Sequence, residues 1–94
     1  MYLVSYDISS DRRRRKIAKE LENYGKRVQY SVFECNISKA KYKKMYAKLL
    51  NLMDGDEDGN IRIYELCGVC VQKVVTMGIY DDKGDLDDEE VVVI

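Results

Sequence analysis

Residues 2–7, YLVSYD, are apolar or aromatic at all but two positions and read as a buried strand. Ser9, Ser10 and Asp11 follow as N-cap candidates, and behind them Ile17, Ala18, Leu21 and Tyr24 recur at helical spacing. Gly25 suits the left-handed position that ends a helix. KRVQYSVFECNI, residues 26–37, has strand composition throughout, and Gln29–Ser31 at its middle predicts a tight two-stranded hairpin. Ser38 can cap a second helix, in which Tyr42, Met45, Tyr46, Leu49 and Met53 form the apolar stripe. Lys41, Lys43, Lys44 and Lys48 fall mainly on its other side. After a polar loop, IRIYEL at 61–66 alternates as a strand, and VQKVVTM at 71–77 is a further β-branched run.

Strand, helix, strand, strand, helix, strand is the ferredoxin-like βαββαβ plan, an α+β fold with an antiparallel sheet and both helices on one face. The additional strand at 71–77 has no slot in a four-stranded sheet, and an unpaired edge invites another chain. A homodimer in which this C-terminal strand is swapped across the interface is therefore expected. The domain is expected to span 1–78. Residues 79–94 form an acidic tail whose DDKGDLDDEE composition argues for disorder and whose apolar end, VVVI, suits strand addition to a partner.

Composition narrows the chemistry. No apolar run approaches the ~20 residues of a membrane span, so no membrane role is expected, and MYLVSYD turns polar too quickly for an export signal. Three cysteines, Cys35, Cys67 and Cys70, without secretory context predict free thiols in a reducing cytoplasm. Histidine is absent, which removes the commonest general base and transition-metal ligand. Catalysis would then rest on carboxylates and a hard cation. The net charge of -1 hides an asymmetry: residues 1–50 carry a balance of +8 and residues 51–94 a balance of -9. The basic half points to a polyanion, with nucleic acid favoured over a merely solvated surface.

Four motifs invite chemistry. DGDEDGNIRIYE at 54–65 fits the calcium-binding EF-hand loop, with Asp54, Asp56 and Asp58 at positions one, three and five, Gly59 at six and Glu65 at twelve. The residues after Ile63 have strand composition rather than that of the outgoing helix the motif needs, which favours a polar turn between helix and strand. CGVC at 67–70 supplies two of the four ligands of a zinc site, or a redox pair if it opened a helix after a strand. Small residues in a turn between two strands are the simpler reading. RRRRK, Arg12, Arg13, Arg14, Arg15 and Lys16, occupies the first turns of a helix, where positive charge opposes the helix dipole. A run placed against that cost points to an external anion, with Lys26 and Arg27 extending the patch. Five consecutive side chains fan around a helix, so they cannot all face one groove. Asp7, at the end of the first strand, is a candidate Mg²⁺ ligand if a second copy supplies its twin, and otherwise a helix cap or a partner for Arg14.

YLVSYDIS at the start, RVQYSVFEC in the middle and IRIYELCGVC near the end, in this order and spacing, resemble the CRISPR-associated Cas2 family, the smaller subunit of the CRISPR adaptation machinery. The resemblance covers residues 2 to about 78. It implies a ferredoxin-like homodimer in a prokaryotic cytoplasm, with Asp7 as the first-strand aspartate that holds Mg²⁺, or Mn²⁺, against its two-fold mate. It implies a metal-dependent endonuclease acting on single-stranded RNA or double-stranded DNA, with Asp7 catalytic. Arg14, Lys16, Arg27 and the hairpin residues Ser31 and Phe33 fall near that site. The family also implies a second role, in which the dimer bridges copies of the CRISPR integrase and clamps double-stranded DNA without cleaving it.

Overall fold

The chain runs β1 (Tyr2–Asp7), α1 (Asp11–Leu21), β2 (Lys26–Gln29), β3 (Val32–Cys35), α2 (Lys39–Leu52), β4 (Asn60–Glu65), α3 (Gly68–Val71), β5 (Val75–Met77) and β6 (Val91–Val93) in a computed structural model. The structure describes residues 1–78 and 91–93; most of the acidic tail expected at 79–94 lies outside the described residues. The first four strands form one antiparallel sheet in the order β2-β3-β1-β4. This is the ferredoxin-like order, as the element pattern predicts.

Strand β1 is paired on both edges, to β3 and to β4. Its alternation points Tyr2, Val4 and Tyr6 into the core while Leu3, Ser5 and Asp7 face away. Ile8 after β1, Ile17, Ala18 and Leu21 of α1, Met45 and Leu49 of α2, and Phe33 and Cys35 of β3 complete the buried cluster. The Tyr2 ring stacks on Tyr42 of α2, centroids 4.3 Å apart and nearly parallel at 8°. Of the three N-cap candidates before α1, Ser10 does the capping, its Oγ accepting from the Arg13 N–H at 3.2 Å. Ser38 Oγ caps α2 by accepting from the Lys41 N–H at 3.2 Å. Within the predicted α2 stripe, Met45 and Leu49 are buried, Tyr42 and Met53 pack against the core, and Tyr46 is exposed.

Two expectations are corrected. Gly25 does not end α1 in the left-handed conformation: it is absent from the positive-φ glycines, and α1 closes on Glu22 in the right-handed region. The glycine is needed instead for approach. A Cβ at residue 25 would lie 2.1 Å from the Glu34 carbonyl oxygen and 2.7 Å from Cys35 Cα, so no side chain fits where the chain crosses β3. Secondly, the run 71–77 is not one strand. Residues 68–71 turn into α3, capped by Cys67, and β5 is confined to 75–77. Leu66 still exchanges backbone hydrogen bonds with Met1; beyond it the chain leaves the sheet, and the i→i−4 bonds from Val71 and Gln72 to Cys67 and Gly68 satisfy the backbone locally. The valines of VVVI at 91–93 pair antiparallel with β5 of the same chain, Val75 opposite Val93.

Gly25→Ala is expected to destabilise the domain by about 1–3 kcal/mol, since the nearest obstacle is backbone and cannot swing aside. Urea unfolding of both forms checks this, and an unchanged midpoint would refute the close approach.

Candidate metal and nucleic-acid site

Asp7 ends β1 on the sheet face turned away from the helices, opposite Asn60, and its side chain is exposed. The same face carries Leu3 between Glu34 and Tyr64, and Ser5 between Val32 and Arg62. The α2–β4 loop passes close by. A Cβ on Gly59 would meet the Asp7 carbonyl oxygen at 3.0 Å and Ile8 Cδ1 at 2.9 Å, so glycine lets the loop press against the strand end. Among the described residues no arginine or lysine pairs with the Asp7 carboxylate. Among the described residues, three or more Cys, Asp or Glu side chains do not cluster there. One chain therefore offers a hard cation one carboxylate at this point. Ser10, not Asp7, caps α1, and Arg14 reaches past Asp7 to Ile8 and Asp11.

The basic run divides by function around α1. Arg13 turns inward: its Nε donates to Leu52 O at 3.0 Å, one terminal nitrogen to Asp56 Oδ2 at 3.1 Å and the other to Asp54 O at 3.1 Å. Arg14 donates to the Ile8 carbonyl at 2.9 Å and pairs with Asp11. Arg12, Arg15 and Lys16 are exposed. On one flank of α1, Arg14, Arg15 and Lys19 face Arg27, Tyr6 and Tyr30 across an open groove of about 500 Å³. On the other, Arg12, Arg13 and Lys16 line a groove of about 350 Å³ with Asn51 and Asp54 from the end of α2. Lys26 stands opposite Glu34 in the β2–β3 register and lines neither groove.

The hairpin residues have different roles. Ser31, half-buried in the turn, accepts the Tyr6 N–H through its carbonyl at 3.1 Å. Phe33 is wholly buried and meets the site through Tyr6, whose ring centre lies 6.3 Å from its own, and through Arg27, whose guanidinium carbon lies 5.4 Å from the Phe33 ring centre and 6.0 Å from that of Tyr30. Sequence reasoning missed Tyr6 and Tyr30 as groove residues. Tyr30 is 71% exposed at the hairpin tip, and an aromatic at a turn flanked by Arg27 was the signal available. Burial raises the Tyr6 phenol above its usual value, while the neighbouring Arg27 charge opposes the rise.

The acidic loop holds a fold contact. Asp56 Oδ1 accepts the Gly59 N–H at 2.6 Å and the Asp58 N–H at 3.1 Å, while Oδ2 takes Arg13. These bonds, the Gly59 N–H first, lower the Asp56 pKa. Glu65, the twelfth residue of the calcium pattern, lies at the far end of β4 opposite Tyr2, while Asn60 begins the strand opposite Asp7. Glu65 lies five strand positions beyond Asn60, about 16 Å at the usual rise, so it does not return to the loop as a calcium site would need, and the loop is the polar turn expected.

A ferredoxin-like sheet with basic grooves beside α1 and an exposed aspartate at the end of β1 defines the class: a small α+β domain with a basic flank. The family model for CRISPR associated protein Cas2 matches residues 1–74. The chain is 48% identical over 77 residues to a CRISPR-associated endoribonuclease Cas2 of Chloroflexus aurantiacus, covering 82% of this chain and 83% of that protein. Its fold matches the crystal structure of Streptococcus pyogenes Cas2 with a TM-score of 0.63 at 35% identity, covering 70% of this chain and 84% of the other. A chain of a partial Cas6-RT-Cas1–Cas2 complex matches with a TM-score of 0.57 at 32% identity, covering 74% and 81%. The chain belongs to the Cas2 family. Among the described residues no helix is long and apolar enough to cross a membrane.

Asp56→Asn keeps the acceptor for Gly59 and Asp58 but removes the charge facing Arg13. Because the folded-state pKa is depressed, the charge contributes stability above the unfolded value of about 3.9 and loses it as pH falls through the lower folded value. Thermal unfolding should therefore show the variant less stable at pH 7, with the gap constant down to about pH 5 and closing under stronger acid. A gap unaffected by pH would mean that the charge is not what the loop uses.

Proposed function

We propose that this chain acts as a nucleic-acid-binding homodimer in CRISPR adaptation, joined to the integrase subunit Cas1 and holding double-stranded DNA against its basic flanks. Family membership and the matched chain from a Cas1–Cas2 assembly support the partner. The observation that carries the binding role is the exposed set Arg12, Arg15 and Lys16, left outward while Arg13 and Arg14 are used within the fold. Such cations grip phosphates without reading bases, so binding is sequence-tolerant and salt-sensitive. Dimerisation is supported by the sheet face carrying Leu3, Val32 and Tyr64, and by the outer edge of β4, which no strand covers among the described residues. In a swapped dimer β5, which lies outside the four-stranded sheet, would cover that edge of the partner copy.

A second reading, metal-dependent cleavage of single-stranded RNA or double-stranded DNA, is favoured by one observation: the exposed Asp7 carboxylate is not paired with a cation among the described residues. A carboxylate oxygen fits Mg²⁺, and Mn²⁺ equally, as one ligand among waters, with the partner copy's equivalent aspartate as the second. When bound, the ion would supply Lewis-acid stabilisation of a phosphodiester and a more acidic water. Asp7 holds and orients; Arg15 and Arg27 steady the phosphate backbone. The chain supplies no histidine as a general base, so proton transfer would fall to a carboxylate or to water.

Wild type and Asp7→Asn are to be compared on RNA and duplex DNA in Mg²⁺, Mn²⁺ and chelator. On the nuclease reading, wild type cuts with metal and the variant loses at least ~100-fold in rate, the scale of a removed catalytic group. Equal cutting, or none, leaves the scaffold reading. Separately, changing Arg12, Arg15 and Lys16 to alanine should weaken duplex binding across all sequences and reduce the salt slope of log K by about 3. An unchanged slope would remove these side chains from the interface.

A further inference from the structure

The CGVC motif is absorbed by neither the fold nor the proposed site. Cys67 and Cys70 are both exposed, and their Sγ atoms lie 3.3 Å apart across α3. Cys67 Sγ also accepts the Cys70 backbone N–H at 3.4 Å, serving as the N-cap of that single turn. The turn is built from weak helix formers: Gly68 and the β-branched Val69 and Val71 favour coil or strand. Propensity thus does little to hold the helical turn against an extended connection from β4 to β5.

We propose that Cys67 and Cys70 form a reversible dithiol–disulfide pair whose oxidised state locks residues 67–71 in the helical turn. The cross-link and the extended alternative exclude one another. In a strand, residues three apart are separated by about 10 Å, beyond the ~7 Å limit of Cα atoms joined by a disulfide. In the turn the two sulfurs are already in contact, so a side-chain rotation brings them to bonding distance. The roles are unequal. Hydrogen bonds from the Cys70 N–H, the Cys70 thiol and the Val69 N–H lower the Cys67 pKa, while donation to Cys67 raises that of Cys70. Cys67 is thus the attacking group and Cys70 the resolving one.

The oxidant is a small-molecule disulfide such as oxidised glutathione. The Cys67 thiolate attacks one of its sulfurs, forming a mixed disulfide and releasing one thiolate. Cys70, losing its proton to solvent, attacks Cys67 Sγ and displaces the second thiolate. Two protein S–H bonds become one S–S bond, two electrons pass to the oxidant, and the two released thiolates recover the protons. Cys35 takes no part: it is buried in the core, and burial pushes its thiol up to about 11.

The test incubates the full chain with glutathione at graded ratios of oxidised to reduced form. It then quenches with acid, alkylates, and maps the cysteines by mass spectrometry. The expected result is a Cys67–Cys70 link reversed by dithiothreitol, with Cys35 unlinked. Cys70→Ser should accumulate glutathione on Cys67, and Cys67→Ser should react several-fold more slowly. In the oxidised wild type, amide exchange at Val71 and Gln72, which bond to Cys67 and Gly68, should slow by about tenfold. The proposal is overturned if both thiols stay alkylatable at every ratio, or if they link with no change in that exchange. It is equally overturned if a copurified metal, released by chelator, proves to mask the thiols.

Discussion

Strand β1 is bonded on both edges, so its two-residue period has to be right on both faces at once. Tyr2, Val4 and Tyr6 meet the helices, and Val4 is fully buried. Leu3, Ser5 and Asp7 form the middle row of the other face. Sliding the register by one residue would carry Asp7 into the apolar layer without a partner, a cost of several kcal/mol for a buried carboxylate. It would also expose Val4 and Tyr6. The period that builds the core is therefore the period that delivers the acid to the open face, and the site inherits its position from packing rather than from any contact of its own.

A second constraint joins the two helices. The basic run is unfavourable at the positive end of α1, where the backbone already presents unpaired N–H groups. Arg13 is placed so that the same charge is favourable to another element: it bonds the carbonyl of Leu52, the last residue of α2, and that of Asp54 just beyond. The last turn of α2 contains no basic residue of its own. Arg13 thus serves as the cation at the negative end of α2 while Asp56 balances it from the loop. That arrangement fixes the α2–β4 loop beside Asp7, with Gly59 completing the approach.

Much of this was legible from the order of residues. The strand at 2–7, both capped helices, the hairpin and the strand after the acidic loop follow from local periodicity and cap chemistry, which act over a few residues. The fanning of RRRRK also follows from helix geometry alone. The rest depended on distant neighbours. Gly25 looked like a helix terminator because its chain position fits that role, whereas the decisive atom, the Glu34 carbonyl oxygen, is on another strand. Valines at 69 and 71 looked like strand because composition does not say whether a sheet edge is at hand. Phe33 looked like a site residue although it is core, and Tyr30 was passed over although it is exposed. A hairpin's inward and outward sides are set by what packs beneath it.

The same economy bears on the choice between holding and cutting nucleic acid. Holding needs outward cations on a rigid support, and Arg12, Arg15 and Lys16 have that from α1, whose Ile17 and Leu21 are wholly buried. Cutting needs several groups converging within about 3 Å of one phosphate. Here each chain contributes one carboxylate at the relevant strand end and no imidazole anywhere in its sequence. The remaining ligands would have to come from symmetry and from water, so activity would depend on the spacing between copies and on metal concentration. Binding carries neither dependence. Selection for a scaffold could therefore keep every feature of the basic flank while leaving Asp7 free to vary, whereas selection for a nuclease could not.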